Sequence, residues 1–585
     1  MRIEGVVDST SASTGPTRIG PWLRGHLTPY RAALAIYLVG TFAWQALTVA
    51  IPRLSGASFD AILRAAPDVH SFTRLVAILL LVVLVRGAIG IATTYTLEYI
   101  GNGVERDVRA ALYRGLLSKG QAFFDRWRVG ELLARATGDA GQIKQLFQPG
   151  LEFLLIAAYG TLLPLVVIGA LDPQLLLAPT LFLAAFALAV RRHNRRLGPV
   201  SDRLQRRAGA LSARLAESLA GIDLIAAAGQ REREGRAFAR EARDYRDAFI
   251  RRGQAQALYL PPLLVNVALV GGLLHGLLLV SAGRLTVGQL VAYLGLIGLL
   301  QQPVEALGVS VPLIRLGLSS VRRIVEVLDD GRAQERRSGG HRATVRGDIA
   351  FEDVRFAYDD APALEAVSFA ASRGETIALV GATGAGKSTI VKLLNRTYDP
   401  VGGRVAVDGV DLRDWDVGAL RAQIAIIEQD VTLFARSIAE NIALGGGPGI
   451  DRARIERAAR EAQAHEFIAR LPAGYDTIIG ERGTTLSGGQ RQRLAVARAL
   501  LTEPKILVLD DATSAVDSQT DALLRQALRR LRAGRTTILI TNRLAEIRRA
   551  DRIVILDRGR MVDQGRHEDL MNRCAIYRRI YAAYR

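Results

Sequence analysis

Two adjacent acids, Asp510 and Asp511, close the apolar run "KILVLDD" that begins at Lys505. One carboxylate at the exit of a buried strand can hold a magnesium shell, and a second beside it can prepare a water for attack on phosphate. A cradle for that phosphate lies upstream. "GATGAGKST", Gly381–Thr389, follows the apolar "TIALV" and precedes the helical "IVKLLNR", which is the strand–loop–helix context that a phosphate-binding loop requires. Glycines such as Gly381, Gly384 and Gly386 permit a tight loop whose amides face phosphate oxygens, and the following helix adds its positive end. Lys387 neutralises the β and γ phosphates, Ser388 can ligate magnesium, and Thr389 completes the loop. These residues alone predict a nucleoside triphosphatase. A second glycine-rich helix start, "LSGGQRQRLAVARAL" from Leu486, is one the same chain does not need for its own phosphate. A plain glycine turn would account for it, but the length of the run and a helix beginning after Ser487, Gly488 and Gly489 favour anion binding.

The chain that must position these residues has 585 of them, too many for one ordinary core. Nearly half are hydrophobic, and the single cysteine, Cys574, excludes an intrachain disulfide framework or a cysteine metal site. Apolar stretches near the ~20 residues that cross a bilayer occur at Ala32–Leu54, Leu75–Tyr99, Leu151–Leu171, Gln174–Val190, Leu258–Val280 and Val287–Leu307. They predict six spanning helices. The first 30 residues lack the apolar core and cleavage site of a signal peptide, so the first span is expected to be retained, with Ile19–Leu23 lying along the membrane surface.

Connections are short after spans one, three and five and long after two and four. "RDVRAALYRGLLSKGQAFFDRWR" from Arg106 and "RRHNRRLGPVSDRLQRR" from Arg191 are dense in arginine, which predicts that both long connections are cytoplasmic. Much of the formal charge of +19 is therefore topology, and no nucleic-acid partner is expected, because the arginines fall at helical spacing without interleaved stacking aromatics. The expected organisation is a tail over 1–28, a six-span transmembrane domain over 29–328, a linker over 329–348 and an α/β domain over 349–585, where short β-rich runs alternate with helical segments. The fold class is a multidomain membrane protein, an all-α six-helix transmembrane domain followed by an α/β P-loop nucleotide-binding domain.

With the "LSGGQ" segment in place the chain resembles the ATP-binding cassette family, and the six preceding spans make it similar to an exporter-type half-transporter. The resemblance implies ATP and Mg2+ as cofactors. It implies that Tyr358 in "VRFAYDD" stacks on adenine, that Ser388, Gln429 and Asp510 surround the metal, and that Gln429 links the attacking water to the membrane helices. It also implies that Ser487, Gly488, Gly489 and Gln490 complete the ATP site of a partner cassette, facing head to tail. Coupling between cassette and spans falls to "FFDRWRVGELLAR" with Phe124 and Asp125, to "AESLAGIDLIAAAGQ" with Glu217, to Glu481 in "TIIGERG", and, across the dimer, to Asp517 in "SAVD". One chain carries one cassette, so a second half-transporter is required.

The family pattern puts Glu after the magnesium aspartate and His in the later "AHRL" segment; this chain has Asp511 and, in "LITNRLAEI", Asn542. Aspartate is one methylene shorter, and a misplacement near 1 Å can cost about a hundredfold in rate. Both departures predict a site that holds ATP and hydrolyses it slowly, the retaining half of an unequal pair whose partner carries the consensus Glu and His. That resembles the degenerate-site subunit of heterodimeric exporters.

The expected cargo is an amphipathic compound or lipid, moved across the inner (plasma) membrane by a multi-pass protein with cassette and termini in the cytoplasm. Arg86 within the second span, and Asn266, His275 and Glu305 on the fifth and sixth, are candidates for a substrate cavity, because ionisable groups there are costly and face a cavity or an ionic partner. An importer of an amphipathic chelate shares the architecture, and an ATP-binding module that gates without pumping is the alternative from another class.

Overall fold

The computed structural model describes residues 19–63, 68–257, 261–330, 339–359, 361–447, 449–480, 483, 485–511 and 518–583. Its contacts divide the chain into two units, Met1–Ser118 with Trp127–Gly331, and Lys119–Arg126 with Arg332–Arg585.

The first unit is helical. Among the described residues six helices are long and apolar enough to cross a membrane: Ile19–Ile62, Val69–Leu117, Val129–Leu171, Pro173–Ala220, Leu263–Ser281 and Val287–Asp329. Helices are what these runs must form in lipid, where each backbone polar group needs a partner within its own segment. The second runs for 49 residues, about 74 Å at 1.5 Å per residue, far longer than a ~30 Å hydrocarbon layer. The apolar runs therefore mark only the lipid-crossing part of longer rods. The expected surface segment is one helix, Ile19–Leu27.

Polar groups fasten the short connections. Asp60 accepts from Thr286 Oγ1 at 2.6 Å and from the Gly288 amide at 2.8 Å, while Arg284 meets Asp172 at 2.6 Å. Thr286 also caps the sixth span in a reciprocal box with Gln289. First and sixth helices pack so closely that a Cβ on Gly288 would collide with the Gly56 carbonyl, the small-residue contact on which membrane helices rely. Farther along, Asp139 binds Arg323 at 2.5 and 2.8 Å, tying the third helix to the sixth. The arginine-rich extension of the fourth helix is antiparallel to Arg231–Ala257 through Arg214–Glu234 at 2.6 Å and Arg207–Asp244 at 3.0 Å, so part of the positive charge is met locally.

Among the described residues the second unit holds two sheets. One has the order β2-β1-β4-β5, from Ile349–Tyr358 (β1), Ala361–Ala371 (β2), Gly402–Val407 (β4) and Val410–Asp411 (β5). The other has the order β10-β9-β3-β8-β7-β6, built from Thr376–Val380 (β3), Ile424–Ile427 (β6), Ile506–Asp510 (β7), Thr536–Ile540 (β8), Arg552–Asp557 (β9) and Arg560–Gly565 (β10). From β9 to β6 its strands are parallel. Ile377 through Val380 are all buried, as expected of a central strand covered on both faces. Lys119–Arg126 belongs with this unit although it lies between two spans in sequence. Within it, Phe123 is buried and the Tyr398 hydroxyl donates to the Asp125 carboxylate.

Candidate functional site

Parallel strands put their carboxyl ends on one edge of the sheet, where ligands bind in open α/β folds. β3 leads into the loop of Gly381–Gly386 and the helix Lys387–Leu394. Gly384 and Gly386 have φ of 81° and 101°, a region closed to most side chains, so the loop can take this path only because glycine stands at both positions. Lys387 Nζ donates to the carbonyls of Gly381 at 2.7 Å and Ala382 at 2.9 Å and so spans the loop. Asp510 leaves the end of β7 with its Oδ2 3.5 Å from Ser388 Oγ. Next to it Asp511 adopts φ of 45°, a conformation Asp tolerates better than most residues, and its amide donates to the Ile540 carbonyl at 2.8 Å.

A cavity of about 790 Å³ gathers these groups. Tyr358, Gly381, Gly384, Gly386 and Lys387–Thr389 line it, and so do Gln429, Asp510, Asp511 and Asn542. Burial, and after it the charge of Asp511, pushes the Asp510 carboxyl above its usual range, while burial pulls Lys387 below its own against the opposing pull of both acids. The Ser388 hydroxyl and the Asp510 and Gln429 side-chain oxygens are hard donors of the kind that would hold Mg2+, and all three residues line this cavity. Tyr358 is half-buried, packs edge to face with Phe356 and Tyr398, and lies 3.4 Å from Thr389 through its hydroxyl.

The remaining residues singled out in the sequence lie outside that cavity. Ser487 is the N-cap of Gly488–Leu501, with its side chain accepting from the Gln490 amide and the Gln490 side chain accepting in return from the Ser487 amide at 2.9 Å. Gly489 is buried and Ser487 exposed. Phe124 stands edge to face with Phe123, and Glu217 is exposed near Arg214. Glu481 and Asp517 lie outside the described residues. In the membrane unit the four polar candidates are not joined to one another by any hydrogen bond or ion pair among the described residues. Arg86 sits over the Trp44 ring at 4.8 Å with a buried, unpartnered Nε; His275 Nδ1 is likewise unpartnered; Glu305 accepts from Gln301 at 3.1 Å; Asn266 is exposed. Sequence reasoning missed the polar stripe of Tyr37, Thr41, Gln45 and Thr48 on the first span, all buried. Helical spacing was the signal. It also missed Ile576, Arg579 and Ile580 at the cavity wall, for which no motif exists.

Residues 34–304 match the ABC transporter transmembrane region and residues 364–514 match ABC transporter. An ATP-dependent lipid A-core flippase of Thiobacillus denitrificans is 35% identical over 574 residues, covering 96% of this chain and 97% of the relative. The chain belongs to the ABC transporter family. A Bacillus subtilis relative, the uncharacterized ABC transporter ATP-binding protein YknU, is 31% identical over 96% of both chains. Among solved structures, a bacterial Atm1-family ABC exporter with ATP bound superposes with a TM-score of 0.78 at 32% identity, covering 96% of this chain and 98% of that one.

This ABC exporter is therefore an ATP-hydrolysing, multi-pass membrane protein that uses ATP and Mg2+. Lys387 and the loop amides line the cavity where a phosphate chain would be held and oriented, Ser388, Gln429 and Asp510 would hold Mg2+, which would withdraw charge from the phosphates, and the acids at the end of β7 would face a reacting water. Lys387→Ala is expected to weaken ATP binding at this cassette about tenfold or more, the scale of one charge-assisted contact. Photolabelling with an azido-ATP checks it, and unchanged labelling of the mutated cassette would contradict the assignment.

Proposed function

We propose that this chain is the ATP-retaining half of an unequal exporter pair, contributing a slow site of its own and an intact Ser487 segment to a partner's faster site. The observation that carries the reading is the pairing of Asp511 and Asn542 on the wall of a cavity whose binding residues are all kept. General acid or base groups contribute about 10²–10⁴ in rate, so weakening both positions while retaining Lys387, Ser388 and Asp510 lowers turnover more than affinity. The partner is a different half-transporter with Glu and His at the two positions. Purification from native membranes, followed by identification of the co-purifying chain, tests this. Recovery of a self-pair alone would overturn it.

The cargo is an amphipathic lipid. Support comes from relatives named as lipid A-core flippases and from Arg86, an arginine with no acidic partner among the described residues, inside a span. A cation there is costly unless an anion or a polar cavity meets it.

The cassette and both termini are cytoplasmic, in the inner membrane, and the turn between fifth and sixth helices is external. Gly283 in that turn has φ of 72°, so a side chain there is strained, whereas the adjacent Ala282 is exposed. Ala282→Cys in intact cells is expected to react with a membrane-impermeant maleimide, because the native Cys574 is buried and leaves a low background. Labelling only after permeabilisation would reverse the orientation.

A further inference from the structure

We propose that the C-terminal helix Ala575–Ala583 is the nucleoside-side wall of this chain's ATP cavity, and that Arg579 on it is a determinant of nucleotide affinity that reaches the ribose and α-phosphate end.

The helix has two working faces. Cys574 and Tyr577 are buried against Ala378 and Val380 of β3 and Ile553 and Ile555 of β9, and the Tyr577 hydroxyl lies 2.8 Å from His567 Nδ1. That stripe anchors the helix. Ile576, Arg579 and Ile580, at the i, i+3, i+4 spacing of a neighbouring stripe, line the same cavity as Tyr358 and the phosphate loop.

Sheet order tells which end of the nucleotide this wall meets. The acids Asp510 and Asp511 and the residue Asn542 follow β7 and β8, which lie on one side of β3. Asp557, the cavity residue at the end of β9, lies on the other side of β3, as does the helix packed on β9. A phosphate chain threaded over the Gly381–Gly386 loop with its reacting end toward Asp510 has its nucleoside end toward β9, Tyr358 and the helix. Ile576 and Ile580 then give apolar cover to the sugar and base.

Charge singles out Arg579. Arg578, its neighbour, is engaged, donating to the carbonyls of Met571 at 2.9 Å and Asn572 at 2.8 Å. Arg573 is paired with Asp563. Arg579 is exposed and has neither a hydrogen bond nor an ion pair among the described residues, so its guanidinium stands on the wall of a polyanion site with its donors uncommitted. Planar paired donors suit a phosphate oxygen or ribose hydroxyls. The inference is independent of the unequal-pair reading, because it concerns affinity and not turnover.

The test uses the full chain in membranes with its partner, photolabelled with an azido-ATP and competed with ATP, AMP or inorganic tripolyphosphate. Arg579→Ala is expected to raise the concentrations of ATP and AMP needed for half-competition by about five- to twentyfold, and that of tripolyphosphate less than about twofold. Arg579→Lys should recover part of the loss, and Arg578→Ala should change none of the three. Should alanine lower the unfolding temperature, Arg579→Gln, which keeps part of the stem, is read by the same criteria. Unchanged competition by ATP and AMP overturns the proposal. So does an equal loss for tripolyphosphate, which would move the contact to the terminal phosphates.

Discussion

Ser487→Arg is expected to remove most ATP turnover of the assembled transporter, about a hundredfold or more, although Ser487 stands outside this chain's own nucleotide cavity. The exposed Ser487 caps Gly488–Leu501 in a reciprocal box with Gln490, and a helix start of this kind suits an anion supplied by a partner cassette. Deleting one such preorganised donor costs about 10²–10³ in catalytic rate where it meets developing charge, and an arginine adds bulk where a γ-phosphate must approach. Loss of the cap destabilises this helix by only about 0.5–2 kcal/mol, so the fold survives. Azido-ATP labelling through Lys387 should stay normal in the variant while ATPase activity collapses. That combination separates completion of a partner's site from a general folding defect, and near-normal ATPase activity would reject it.

Asp511→Asn should leave transport by the pair within about twofold of normal, whereas removing the partner's corresponding base should stop it, a loss of about 10²–10⁴. On the unequal-pair reading the competent site supplies turnover and this chain's site has only to keep ATP and its metal through Lys387, Ser388 and Asp510, and Asn preserves the shape of Asp511 while removing the charge that, after burial, pushes the Asp510 carboxyl upward. The reciprocal change, Asp511→Glu with Asn542→His, should accelerate hydrolysis at this cassette, because both substituted side chains line the cavity that holds the phosphate loop. Single-site hydrolysis and transport, measured in membranes containing the authentic partner, check both directions. Equal loss from Asp511→Asn and from the partner mutation would make Asp511 a working base and end the unequal-pair reading.

Much of this could be read from residue order because the determining forces are local or periodic. A bilayer demands about 20 apolar residues in a row, and six such runs show as runs. A phosphate loop demands glycines, a lysine and a hydroxyl between a strand and a helix, and Gly381–Thr389 supplies them within one stretch. The departures at Asp511 and Asn542 were legible for the same reason, since each lies beside a recognisable strand. The length of the second span was less so: hydropathy ends where lipid ends, but the helix continues to Leu117, because backbone hydrogen bonding does not require apolar side chains.

Only tertiary structure decided what depends on two distant segments meeting. It groups Lys119–Arg126 with the cassette through Tyr398 and Asp125, gives Arg86 a tryptophan face and no acid among the described residues, and brings Ile576, Arg579 and Ile580 to the nucleotide cavity. No periodicity encodes these meetings. They follow from where β9 lies beside β3 and from which stripe of the last helix Tyr577 buries, and packing choices of that kind are made between surfaces, each of which looks in sequence like an ordinary amphipathic helix or strand.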